Sequence, residues 1–127
     1  MVETQQTHQS APTRFTIEAN GIRYAYRRFG KETGVPLLFL QHFLGTMDNW
    51  DPAVTDGLGM NRPVILFDSA GIGRSGGQTP DSVAEMSRHA LAFVDLLRLT
   101  NADLLGFSLG GFVAQQIALD RPVWSER

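Results

Sequence analysis

The stretch Leu104-Leu105-Gly106-Phe107-Ser108-Leu109-Gly110-Gly111 decides the fold. It matches G-x-S-x-G, preceded by the strand-like run Ala102-Asp103-Leu104-Leu105 and followed by an apolar helical stretch. A chain that passes directly from a strand end into a helix is crowded, and flanking glycines remove the Cβ atoms that would clash. Such a corner pushes the serine side chain outward. The helix N-terminus beside it offers free N–H groups and a dipole that favours developing negative charge. Ser108 is therefore the candidate nucleophile, and the N–H of Leu109 is a candidate oxyanion donor. The plainer alternative is a glycine-rich turn with an incidental serine.

Working outward, Val35-Pro36-Leu37-Leu38-Phe39-Leu40 and Val64-Ile65-Leu66-Phe67 are continuous apolar runs. Runs of this kind fit strands buried on both faces of a parallel sheet. Earlier, Phe15 and Ile17 share one face of a strand, Asn20-Gly21 supplies a hairpin turn, and Ile22, Tyr24 and Tyr26 recur at period two on the return. This predicts an antiparallel hairpin with one wet face. A short helix is expected around Trp50 to Leu58. A clearer one opens at the capping box Ser82-Val83-Ala84-Glu85 and carries Val83, Met86, Ala90, Phe93 and Leu97 on its apolar stripe. After Ser108, Gly110, Ala114 and Ala118 lie four apart, predicting a smooth face toward the sheet, and Asp120-Arg121-Pro122 ends that helix. The fold class is α/β, with parallel strands and crossover helices behind an antiparallel hairpin. Residues 1–13 lack periodicity and read as a flexible tail, leaving 14–127 as one domain.

At 127 residues the chain is long enough for one small domain and too short for two. A net charge of -2 calls for neither nucleic acid nor an anionic membrane as partner. With no cysteine, disulfides and thiolate chemistry are excluded. No apolar signal region and no membrane-length apolar run is seen, so the reading is a soluble cytoplasmic protein.

The loop Gln41-His42-Phe43-Leu44-Gly45-Thr46 follows the first parallel strand, where a second oxyanion donor is needed, and the N–H of Phe43 is the choice for it. His42 precedes the nucleophile in chain order, which suits a loop-ordering partner better than a catalytic base. Gly71-Ile72-Gly73-Arg74-Ser75-Gly76 satisfies a dinucleotide fingerprint, but Gly77 to Pro80 separate it from the next helix, so it reads as a tight turn. Asp68 ends a strand on the same sheet edge as Ser108 and reads as a supporting group. His89, beside Arg88, reads as a surface residue.

Three segments carry a family resemblance: residues 38–50, residues 68–75 in the form D-x-x-G-x-G-x-S, and residues 104–111. Together the chain resembles the α/β-hydrolases of the haloperoxidase-like and esterase-like kind, from about Phe15 to Pro122. The resemblance implies a serine hydrolase acting on an ester or similar acyl bond of a small molecule through an acyl-serine intermediate, with no cofactor or metal. Esterase and perhydrolase or haloperoxidase-like activities stay open. Two departures stand out. Many members have His-Gly where this chain has Gln41-His42. Members also continue past the nucleophile helix to the acid and histidine of the triad, which residues 123–127 do not supply. The expectation is an incomplete fragment with little turnover, whose Ala102 to Leu105 strand is an open sheet edge that invites self-association. A non-catalytic ligand-binding module, or one half of a complemented enzyme, is the alternative.

Overall fold

A computed structural model describes residues 6–18, 21–41 and 45–121 of the chain. Its elements run β1 (Arg14–Ile17), β2 (Arg23–Gly30), β3 (Leu37–Leu40), α1 (Pro52–Gly59), β4 (Pro63–Phe67), α2 (Val83–Leu96), β5 (Asp103–Gly106) and α3 (Leu109–Asp120). The strands form one sheet in the order β1-β2-β4-β3-β5. β3 is parallel to both β4 and β5, while β2 runs antiparallel to β1 and β4. This is the expected hairpin joined to a parallel core.

Every residue of β3 and β4 is buried, because each strand has a strand on either side and helices on both faces. Period-two alternation divides their side chains. Leu38, Leu40, Ile65 and Phe67 join the cluster under α2 and α3, with Phe93 at its centre. Leu37, Phe39, Val64 and Leu66 join Phe29, Trp50 and Leu58 on the α1 side. The Phe93 ring stacks on Phe67 at 4.5 Å and meets Tyr26 edge-on at 5.5 Å. Burial of this kind, at about 25 cal/mol per Å² of apolar surface, drives the folding of the two layers.

The helices begin where local chemistry allows. Asp51 caps α1 by accepting from the Ala53 N–H at 2.9 Å, with Pro52 in the first turn. Ser82 caps α2 by accepting from the Glu85 N–H at 3.1 Å, and Glu85 pairs with Arg88. The α2 stripe packs as expected from its spacing. The buried face of α3 differs from expectation: it is Gly110, Val113 and Ile117, with Ala114 alongside. α3 packs on α2 as well as on β3 and β5, which rotates the larger residues inward. The α2–α3 contact is closed at its far end by Arg121, which donates to both Asp95 oxygens at 2.9 and 2.8 Å.

The hairpin differs in one respect. Phe15 and Ile17 are exposed, because their face of β1 lies on the α1 side, and α1 packs on β2 and β4 instead. Arg23 covers the Phe15 ring at 4.5 Å.

Residues 6–13 belong to the stretch read as a tail, yet His8 is buried there. Its backbone N–H donates to Asp56 at 2.7 Å, its Nδ1 lies 2.8 Å from Thr55 Oγ1, and its ring stacks on Phe29. No described helix is long and apolar enough to cross a membrane.

Candidate functional site

The strand-to-helix corner is made by Gly106, Ser108 and Gly110. Ser108 is exposed and holds φ 57 and ψ -120, a left-handed conformation that costs a non-glycine residue about 1–3 kcal/mol. Steric crowding explains the flanking residues. A Cβ on Gly106 would lie 2.3 Å from the Gly110 carbonyl oxygen, and one on Gly110 would lie 2.0 Å from that of Leu40. The N–H groups of Gly110 and Gly111 donate to Phe107 and Ser108 carbonyls at 3.0 and 2.9 Å. Leu109 opens the 12-residue helix α3, so its N–H is among those a helix leaves unpaired. The Ser108 side chain makes no capping hydrogen bond to the first turn of α3.

Phe43, the other expected donor, and His42 lie outside the described residues. The described residues on either side of them are held by hydrogen bonds. On one side the buried Gln41 donates through Nε2 to the Phe67 carbonyl. On the other, Thr46 and Asn49 cap a 3-10 turn at Met47–Asn49, and the Met47 N–H donates to Asp68 Oδ1 at 2.8 Å.

Asp68 organises more than sequence reasoning assigned to it. It is 2% exposed, and its Oδ2 accepts from the Arg74 N–H at 3.0 Å. Its carbonyl accepts from the Ser75 hydroxyl at 2.5 Å, and that hydroxyl in turn accepts from the Ala25 N–H at 2.9 Å. Gly73 has φ 54 and would place a Cβ 2.4 Å from Asp68 Oδ2, so only glycine closes the turn. The D-x-x-G-x-G-x-S pattern is thus a loop folded around one carboxylate. Helix α2 begins at Val83, beyond this loop, so the glycines cradle Asp68 rather than opening a helix toward a phosphate.

His89 corrects the surface reading. It is half-buried, its Nδ1 lies 3.0 Å from the Tyr24 hydroxyl, and it lines a cavity between α2, the starts of α3 and the ends of β3 and β4. The sequence signal was its place one residue from Ala90 on the apolar stripe. Burial and the adjacent Glu18 carboxylate push the Tyr24 phenol above its ordinary value, so it stays protonated. Burial, and after it the Arg27 charge, hold His8 below its ordinary value despite Asp48 and Asp56 nearby. Among the described residues no group of three or more histidines and carboxylates could hold a metal.

Comparison with known proteins agrees with this architecture. Residues 35–123 match the family described as alpha/beta hydrolase fold. An alpha/beta hydrolase fold protein from Chitinophaga pinensis superposes with a TM-score of 0.89 at 50% identity, over 94% of this chain and 43% of that one. The pimeloyl-[acyl-carrier protein] methyl ester esterase of Edwardsiella ictaluri is 51% identical over 57 residues, 45% of this chain and 20% of that protein. The dihydrolipoyllysine-residue acetyltransferase component of the acetoin cleaving system of Cupriavidus necator is 34% identical over 111 residues, 84% of this chain and 28% of that protein. The chain thus spans less than half the length of each of these proteins. The chain belongs to the family with the alpha/beta hydrolase fold.

Proposed function

We propose that Ser108 is the nucleophile of a serine hydrolase acting on an ester or similar acyl bond of a small molecule. One observation carries this reading: an exposed serine in a strained left-handed conformation, set between β5 and the N-terminus of α3. Strain of this kind persists where the surroundings over-determine it, and it marks sites where a side chain must be held in one place. Ser108 Oγ attacks the carbonyl carbon, and the N–H groups of Leu109 and Phe43 hold the resulting oxyanion. Collapse of the tetrahedral intermediate expels the alkoxide, which takes up the serine proton through water, and leaves an acyl-serine. Water then releases the acid.

Removal of a general base typically lowers serine hydrolase rates by orders of magnitude. Slow acylation and small turnover by this chain are part of the proposal. Incubation with a p-nitrophenyl ester, followed by intact-mass and peptide mapping, tests the proposal. One acyl group on Ser108, absent in Ser108→Ala, supports it. Equal labelling of Ser108→Ala, or acyl groups mapped only to other residues, overturns it.

The exposed Phe112 and Leu119 on α3, the helix that packs on the edge strand β5, favour association of the chain with a second copy along that edge.

A further inference from the structure

The sheet has a second edge, at β1, on the side away from β5. The Glu18 N–H donates to the Ile22 carbonyl at 2.9 Å, and this pair continues the register that sets Thr16 against Tyr24 and Arg14 against Tyr26. Bonded and unbonded pairs alternate along an antiparallel ladder, so Glu18, Thr16 and Arg14 turn their backbone groups toward β2. Phe15 and Ile17 then turn their N–H and C=O groups outward, on the side where the sheet has no further strand. Their side chains are 46% and 61% exposed.

Arginines surround this edge. From Arg14 to Gly30 the sequence holds four arginines and one acid, Glu18. Glu18 lies beside the Tyr24 hydroxyl, and Arg27 pairs with Asp48. Arg14, Arg23 and Arg28 are exposed, and so is Arg74, whose Nη1 donates to Thr13 Oγ1 at 3.3 Å, just before β1. Among the described residues none of these four forms an ion pair. The register places Arg23 on the face of Phe15 and Ile17, and Arg14 and Arg28 on the opposite face.

Charge on an edge strand blocks partners of the same sign and leaves the edge open to the opposite one. A second copy pairing β1 with β1 sets arginine against arginine, which is destabilising. An acidic strand instead meets complementary charge on both faces and apolar surface at Phe15 and Ile17. A lipid surface offers negative charge but does not continue the backbone ladder. We propose that the β1 edge is an interaction surface for an acidic, extended segment of a partner protein, which adds to the sheet beside β1 with apolar side chains against Phe15 and Ile17 and carboxylates against the four arginines. Main-chain hydrogen bonds to Phe15 and Ile17 hold the segment, and the arginines select its charge. The surface is built without Ser108, so it is independent of the proposed nucleophile.

The full chain, isotope-labelled, is titrated with an acetylated and amidated peptide of about six residues, the usual length of a strand, in which glutamate and valine alternate. The expected result is saturable shifts of the Phe15 and Ile17 amides, with their hydrogen exchange slowed by about tenfold or more as new bonds form. The same peptide with lysine in place of glutamate should bind about tenfold more weakly or worse. So should the acidic peptide N-methylated at every residue, which has lost its backbone donors. Arg14→Gln, Arg23→Gln, Arg28→Gln and Arg74→Gln combined should weaken the acidic peptide by about tenfold. The comparison of acidic and basic peptides on the unaltered chain is decisive, because it requires no variant to fold. Equal affinity for the two, no binding of the acidic peptide, or shifts that map to β5 and spare Phe15 and Ile17 overturns the proposal. Binding of phosphatidylglycerol vesicles through the arginines, without protection of Phe15 and Ile17 by the acidic peptide, overturns it in favour of a lipid surface. Protection of those two amides in the chain alone, rising with its concentration, overturns it in favour of a second copy.

Discussion

Gly110 in the first turn of α3 stands so close to Leu40 at the end of β3 that a Cβ on it would lie 2.0 Å from the Leu40 carbonyl oxygen. Helix and strand meet there backbone to backbone, which brings the corner at Ser108 beside the end of β3 and Gln41. Gly110→Ala should therefore cost about 3 kcal/mol or more, since backbone cannot yield as a side chain can. Gly57 in α1 provides the control, because a Cβ there meets nothing within 4 Å. Gly57→Ala should stabilise by about 0.5–1 kcal/mol through lower unfolded-state entropy. Urea unfolding of the two variants checks both signs.

Ser108 should be a residue at which stability opposes function. At φ 57 a glycine is unstrained and an alanine is not. Ser108→Gly should be more stable than Ser108→Ala by about 1 kcal/mol, and neither should be acylated. Equal stability of the two variants would remove the strain argument.

Asp68 receives the N–H groups of Met47 and Arg74 at 2.8 and 3.0 Å. Asp68→Asn keeps the shape but turns an amide NH₂ toward one of these donors. The expected loss is about 2–3 kcal/mol, with amide exchange at Met47 and Arg74 accelerated more than in β4.

His8 should make the attachment of the N-terminal segment depend on pH. The docked imidazole titrates below its ordinary value, chiefly through burial and then the Arg27 charge. When the segment is released, His8 binds its proton at about pH 6.5, as a free histidine does. The released state thus holds more protons below that pH. The stabilising effect of docked, neutral His8 is present in full above about pH 6.5 and falls as pH drops through the lowered value. Asp56 and Asp48, which face it from α1 and the 3-10 turn, oppose the shift without reversing it. His8→Gln should lower stability at neutral pH and flatten the fall in stability below about pH 6.5, read from thermal unfolding against pH. A slope unchanged by the substitution would contradict this.

Association through β5 should be sensitive to charge on α3. Phe112 is 62% exposed and Leu119 is 75% exposed on the same helix. Phe112→Lys with Leu119→Lys should shift the sedimentation profile toward a monomer with little change in unfolding. A monomeric unaltered chain would dismiss the self-association proposal.

Much of the architecture was legible because it is written in local chemistry. The all-apolar runs at 37–40 and 64–67 become the fully buried strands β3 and β4, since only two-sided burial rewards four or five consecutive apolar residues. Ser82 caps α2 because its side chain reaches an N–H three residues on. The corner at Ser108 follows from glycines placed where a Cβ cannot go. The face of α3 was misread because a stripe of small residues suggests close approach without saying which partner sets the rotation. Val113 and Ile117 face inward once α2 lies alongside.

The chain's order of elements and the strained serine are thus properties of the sequence itself, fixed by periodicity and by steric exclusion within a few residues. The partners of His8, Asp68, Gln41 and His89 were decided only by the tertiary structure. His8 meets Asp56 across 48 residues, Met47 meets Asp68 across 21, Gln41 meets Phe67 across 26, and Tyr24 meets His89 across 65. No spacing encodes such contacts, because a polar side chain acquires a partner only when the hydrophobic layers have brought distant segments together and excluded the water that would otherwise satisfy it.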